Sequence, residues 1–191
     1  MRIARIYSFN RGLGVVEAQY PRLLGELEAA IASVDEEQHK SKKSEEIKIP
    51  GRILYSPTSL NRAFRAGFAR IGGWSAIRVK AEYSVELQRG EYEAAVMNKG
   101  AFREMDFVKN KLGVEAHFGK HSFVVYSVCT KMTIFHNLGH IDAGVEIVPV
   151  KAFVQQMSTG VSYFEQFVWD LEARGVSDID IPVLILGIAA G

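Results

Sequence analysis

Residues 106–117 read DFVKNKLGVEAH and place two carboxylates, Asp106 and Glu115, nine positions apart, with His117 two positions further on. These residue types suit a hard divalent cation. Facing carboxylates repel unless something neutralises them, and Mg²⁺ commonly binds one or two carboxylates while keeping several waters. A cation held this way polarises a phosphoryl oxygen and lowers the pKa of its bound water. The chemistry within reach is phosphodiester hydrolysis. Spacing alone is a weak signal, because acidic residues nine apart are common and two strands with charged ends would look the same.

The elements that must position these groups are two strands, 106–109 and 112–118, around a turn. With the turn centred on Asn110 and Lys111, Lys109 pairs with Leu112, Val108 with Gly113, Phe107 with Val114 and Asp106 with Glu115. Direct cross-strand neighbours have Cβ atoms about 4.5–5.5 Å apart. Alternation then puts Glu115 and His117 on one face and turns Ala116 away. Asn110 suits a tight hairpin. Lys111 is not the preferred second turn residue, and Gly113 could shift the register by a bulge.

The rest of the chain reads as one α/β domain. Its 191 residues are 48% hydrophobic, enough for a real core. Lys and Arg number 23 against 22 acidic residues, so net charge neither demands nor excludes nucleic acid. The single cysteine, Cys129, lies in the apolar run FVVYSVCTKM and reads as a structural thiol; a reducing cytoplasm fits. MRIARIYSFNRG has no apolar signal core, and PVLILGIAAG is too short to span a bilayer.

Apolar spacing predicts a helix over 20–34, with Pro21 in its first turn. The charged stretch 35–51, with Lys40, Lys42 and Lys43 but also Glu36, Glu37, Glu45 and Glu46, reads as a mobile solvated loop; the sharper alternative is a loop closing over a polyanion. A short strand at 53–55 precedes a helix with Ser56 as N-cap, Pro57 at its first position and Gly72-Gly73 at its end. A strand over 74–85, a helical stretch over 86–103 and a helix over 120–137 follow. Then come a strand over 143–150, a helical turn at 151–157, a helix over 162–175 and a buried strand over 182–189. Late alternation of strands and helices predicts a mixed central sheet flanked by helices on both faces.

The form D-x8-E-x-(K/Q/E/H) is the core of the PD-(D/E)XK nucleases. More specifically, the chain resembles the type II restriction endonucleases of the BstYI/BglII kind, nearly end to end. The matching segments are MRI-x-x-x-YS, ILYSP-x-x-LN-x-AF, DFVK, VE-x-x-FGK-x-SFV-x-Y, ID-x-GVEI-x-P-x-K, MS-x-G-x-SY-x-E and PVLI-x-GIA. The resemblance implies one endonuclease domain, with 1–100 as helical and loop elaborations for DNA clasping and dimerisation and 104–191 as the catalytic core. It implies Asp106 and Glu115 as metal-binding carboxylates, the carbonyl of Ala116 as a third ligand, and Mg²⁺ as the cofactor, with Mn²⁺ as an alternative. It implies base contacts from Lys120 and from Ser158 and Thr159 in MSTG. It also implies a cytoplasmic homodimer that cuts double-stranded DNA at a palindrome centred on GATC. The products would be 5′-phosphate and 3′-hydroxyl ends, and a cognate methyltransferase would be encoded nearby.

Two positions depart from the pattern. His117 stands where the superfamily usually has Lys and close relatives have Gln. An imidazole there could orient or deprotonate the attacking water, stabilise the phosphorane as imidazolium, ligate Mn²⁺ or Zn²⁺, or merely fill the position. A member that binds DNA with weakened catalysis is the competing reading. Thr159 stands where the resemblance has Ser, which puts the flanking-base preference in doubt. His121, His136 and His140 read as surface or cap residues rather than phosphate contacts. Glu146, in the apolar GVEIV, reads as either a partner behind the site or the solvent end of a strand. Tyr163, Phe164, Phe167 and Trp169 read as core or dimer packing; Asn61 receives no role.

Overall fold

The structure, a computed structural model, describes residues 1–81, 100–120, 124–175 and 179–191. From the N-terminus, β1 (Arg2–Phe9), α1 (Gly12–Gln19) and α2 (Pro21–Ala32) lead into a 3₁₀ turn (Glu36–His39). Next come β2 (Lys40–Lys43), β3 (Ile53–Tyr55), α3 (Pro57–Ile71), β4 (Ser75–Lys80), β5 (Phe102–Lys109) and β6 (Leu112–Ala116). A π-helical segment (Ser127–Met132) runs into α4 (Thr133–Asn137), followed by β7 (Ala143–Pro149), α5 (Lys151–Val154), α6 (Phe164–Arg174) and β8 (Val183–Ala189).

Six strands form one sheet in the order β1-β8-β7-β6-β5-β4, while β2 and β3 pair separately. The central pairs β6–β7 and β7–β8 are parallel, and the outer pairs are antiparallel. Every residue of β7 is buried, and so is β8 from Val183 to Ile188. That matches their near-continuous apolar sequence and the two-sided cover parallel strands need. One face carries the π–α4 helix and α6: Cβ atoms built on Gly144 and Gly187 would lie 2.3 Å from Met132 Sδ and 2.8 Å from the Phe164 ring. The other face carries α3, whose Phe68 stacks on Phe107 with ring centroids 4.1 Å apart. The expected mixed sheet with helices on both faces is therefore present.

Local chemistry explains most boundaries. The Ser56 side chain accepts a hydrogen bond from the Ser59 amide (3.3 Å), Pro57 follows it, and α3 ends where Gly72 takes φ 83°. The β5–β6 turn has Asn110 at φ 48° and Lys111 at φ 65°. Positive φ at both central residues is the tight hairpin turn whose twist matches its strands. Lys109 pairs with Leu112, Val108 with Gly113 and Phe107 with Val114, as the sequence predicts.

Lys111 is strained in that turn, because a side chain in the left-handed region costs about 1–2 kcal/mol. Its ammonium meets Asp142 at 3.4 Å on the surface, a contact of little value. Lys111→Gly is therefore expected to raise the thermal midpoint, by about 2–4 °C per kcal/mol in a chain of this size. A lowered midpoint would contradict this account of the turn.

Several expectations are corrected. Residues 35–51 are not a free loop: β2 pairs with β3, and the Tyr55 amide bonds Gln156 O at 3.0 Å. The run KSKK has no apolar alternation to announce a strand. β1 and α1 have no counterpart in the sequence reading; β1 forms by antiparallel pairing along the free edge of β8. The strand read over 74–85 ends at Lys80, and 82–85 lie outside the described residues, as do 86–99 of the helix read over 86–103; Phe102 and Arg103 of that stretch begin β5. The sheet also crosses the division at residue 100, since its edge strands β1 and β4 come from the first part of the chain. Among the described residues, no helix is long and apolar enough to cross a membrane.

Candidate active site

The parallel register of β6 and β7 sets Glu115 beside Glu146. Their side chains point to the face carrying the π–α4 helix, since both lie an even number of residues from a glycine on that side of its own strand. Both are buried, at 1% and 0% exposure. Two buried carboxylates side by side are costly unless cations or protons neutralise them. Glu115 Oε2 lies 2.6 Å from Lys131 Nζ, which the π-helical segment brings to the sheet. π-turns recur at functional sites, where the extra residue re-aims side chains.

Glu115 Oε1 accepts a hydrogen bond from the Asp106 amide at 3.0 Å. Here the structure departs from the sequence reading, which made these two residues a direct strand pair. β4 pairs Ser75 with Val108 and then Ile77 with Met105, so β5 carries an extra residue, a bulge at Asp106–Phe107. The bulge interrupts regular pairing, and the freed Asp106 amide is satisfied by a carboxylate instead. Asp106 Oδ1 lies 3.3 Å from Arg65 Nη2 of α3.

His117 follows β6, its amide bonded to Ile147 O at 2.9 Å. Its Nε2 lies 3.2 Å from Glu146 Oε2, 3.3 Å from Ser127 Oγ and 3.8 Å from Glu115 Oε2. Both Glu146 oxygens are buried, with no hydrogen bond recorded to either, and His117 is the group that approaches them. Glu146 is thus a partner behind the site and not the solvent end of a strand. Ala116 is buried at the end of β6.

Burial pushes the Glu115 carboxyl up to about 7; the Lys131 ammonium opposes this, and the charges of Asp106 and Glu146 add to it. Burial alone would push His117 down, but Glu146 and Glu115 outweigh it and raise its proton affinity. Both groups bind protons more tightly folded than unfolded. Their contribution to stability is therefore present at low pH and lost as pH rises through their folded values. Glu26 and Glu36 have the opposite sign: burial raises them, but hydrogen bonds, from Lys109 and Trp74 and from backbone amides and the N-terminal ammonium respectively, hold them lower. Their contribution fails only below the ordinary carboxylate range. In EDTA the thermal midpoint is expected to fall as pH rises from about 5.5 to about 8. A midpoint that climbs across that window would refute the arrangement.

Among the described residues, no three His, Cys, Asp or Glu side chains converge ready-made on a metal ion. Lys131 lies against Glu115 and Arg65 against Asp106. The residues nevertheless fit a dication. Glu146 has orphaned oxygens, Glu115 already holds a cation, and oxygen ligands are what Mg²⁺ takes. Beside Asp106, a cavity of about 350 Å³ is lined by Thr58, Asn61, Arg62 and Arg65, and Asn61 Oδ1 is buried without a partner. Its two guanidinium groups suit a phosphate.

Lys120, Ser158 and Thr159 come together at a second place. A cavity of about 470 Å³ is lined by Lys42, Lys43, Ser44, Glu45, Glu46, Lys120 and Ser158. Ser158 is 1% exposed and its Oγ accepts from Lys42 Nζ at 2.6 Å. Thr159 and Lys120 both meet Glu46. Sequence reasoning missed Lys131; it named Arg65 only as positive charge on its helix, and Lys42 and Glu46 only within a charged stretch whose sharper reading was a loop closing over a polyanion. His136 caps its own turn through Nδ1 to Ile141 O at 2.9 Å, His140 packs by Phe135, and His121 lies outside the described residues. Phe164 and Phe167 are core, whereas Trp169 is 66% exposed.

Residues 4–188 match the model of the family described as restriction endonuclease BglII/BglIII. Among solved structures, BglII complexed with a DNA 16-mer aligns with TM-score 0.70 and 18% identity, covering 98% of this chain and 76% of that one. Free BglII aligns with TM-score 0.67 and 17% identity, covering 100% of this chain and 81% of that one. Identities at this level speak for the fold. No curated protein matches the sequence.

Proposed function

Because the chain belongs to the restriction endonuclease BglII/BglIII family, and is thus a type II restriction enzyme and site-specific deoxyribonuclease, we propose that it cuts duplex DNA at a palindrome centred on GATC. The products are 5′-phosphate and 3′-hydroxyl ends. The reading rests on the gathering of Asp106, Glu115 and His117 at one place, where buried Glu115 stands beside buried Glu146 and against the Lys131 ammonium. That BglII was solved with DNA supports duplex DNA as the ligand.

In this reading Asp106, Glu115 and the Ala116 carbonyl hold a divalent cation, Mg²⁺ by preference and Mn²⁺ as an alternative. When bound, it supplies Lewis acidity to the phosphoryl oxygen and acidity to its water. The chain's own residues do the rest. Glu146 and Glu115 hold the imidazole of His117 beside the carboxylates, where it positions or activates the attacking water. Arg65 and Arg62 neutralise the approaching backbone. Lys120 and Thr159 meet base edges, with buried Ser158 acting through Lys42. A homodimer matches a palindromic target, and a methyltransferase encoded nearby would protect the host's own sites. Digestion of unmethylated DNA with Mg²⁺ tests this: discrete fragments support it, and intact DNA would overturn it.

A further inference from the structure

We propose that Glu46 is a specificity-determining residue, setting the base preference beside the GATC core by fixing the hydrogen-bond polarity of Thr159. This rests on the reading of Thr159 and Lys120 as base contacts. Glu46 lies between β2 and β3, in the stretch that reads from sequence as a solvated loop. Its carboxylate accepts the Thr159 amide at 3.0 and 3.2 Å and the Thr159 hydroxyl at 2.7 Å, and meets Lys120 Nζ at 3.5 Å. Two further ties hold the hairpin to the same segment: Lys42 Nζ to Ser158 Oγ at 2.6 Å and Lys40 Nζ to Gln156 Oε1 at 3.4 Å. The donors and acceptors on this wall are therefore set by the hairpin.

A hydroxyl has one proton to give and lone pairs to receive. Thr159 gives its proton to Glu46, so toward a base it offers lone pairs only. In the major groove it can then accept from the amino group of cytosine or adenine, and it leaves guanine O6 and N7 and thymine O4 unpaired. Lys120 beside it is a donor only, and guanine O6/N7 is the commonest partner of such a donor. Acceptor beside donor fits a flanking G·C pair, its cytosine amino at Thr159 and its guanine at Lys120. A glutamine at position 46 would change this. Its carbonyl can keep the Thr159 amide, and its NH₂ would donate to Thr159 Oγ1, releasing the hydroxyl proton to point at the base. Glu46→Gln thus turns Thr159 from acceptor to donor without removing either side chain.

The test uses a duplex pool with a GATC core and all flanking pairs, given to the wild type, Glu46→Gln, Thr159→Val and the double variant. Cut ends are sequenced, and the fraction retarded in a native gel with Ca²⁺ is sequenced in parallel, so preference is read even if nothing is cut. The wild type is expected to favour the flanking pair with the cytosine amino at Thr159. Glu46→Gln should lower that preference about tenfold or invert it, and the double variant should match Thr159→Val. A Glu46→Gln profile identical to wild type, or a shift that persists in the Thr159→Val background, overturns the proposal. So does a wild type that shows no flanking preference. Selective binding without cleavage would leave this inference standing and count against the proposed cleavage alone.

Discussion

Asp106→Ala is expected to bind DNA and leave it uncut. Asp106 lies on the bulge of β5, is only partly buried, and has Arg65 as its charged neighbour. Its loss leaves no cavity in the core, so the fold should survive. What disappears is one of two carboxylates proposed to hold the cation. Metal-ion stabilisation of a phosphoryl transition state is worth several kcal/mol. At about 1.4 kcal/mol per tenfold, the single-turnover rate should fall by roughly three orders of magnitude or more. Affinity should hold or improve, because a negative charge near the phosphates is gone and Arg65 is released. Quench-flow rates with Mg²⁺ and a mobility shift check both halves. A rate within about tenfold of wild type would remove Asp106 from the active site.

Lys131→Met should destabilise the metal-free protein strongly and in a pH-dependent way. Lys131 is the ammonium against Glu115, which is 1% exposed and stands beside Glu146. Removing one partner of a buried pair costs about 3–5 kcal/mol, because the other charge is left uncompensated. Glu115 can escape part of that cost by keeping a proton, and its carboxyl already sits near 7. The loss should therefore be small at acidic pH and approach its full size near pH 8. A divalent cation that takes Lys131's place would restore stability in proportion to its concentration over its Kd. Urea denaturation in EDTA and in Mn²⁺, at two pH values, reads all of this. Unchanged stability in EDTA near pH 8 would show that Lys131 does not neutralise Glu115.

How far the site could be read from sequence depended on which physical rule governed each residue. The β5–β6 register followed from a two-residue turn at Asn110–Lys111, even though Lys111 is a poor choice for it. The bulge at Asp106 could not be read, because it arises from pairing with β4, a strand whose register the local sequence does not carry. Glu146 was visible as an acid in an apolar strand, yet its role needs the parallel β6–β7 register that sets it beside Glu115. Lys131 stands three residues after Val128 and four before Phe135, on the apolar side of the expected helix, yet nothing in the local sequence says that this side meets Glu115. The hairpin that carries Lys42 and Glu46 was hidden by its charge, since KSKK holds its place by backbone pairing and by side chains reaching to 156–159. The strand β8 was easy, since only burial on both faces accounts for VLILGIA.

The most direct test of the central claim is digestion of unmethylated DNA that contains every GATC context, with Mg²⁺ and then Mn²⁺, followed by sequencing of the cut ends. Discrete fragments whose ends share a GATC-centred palindrome and carry 5′-phosphates are expected, with no fragments from Asp106→Ala. Intact DNA with both metals, or ends with no common sequence, would contradict it.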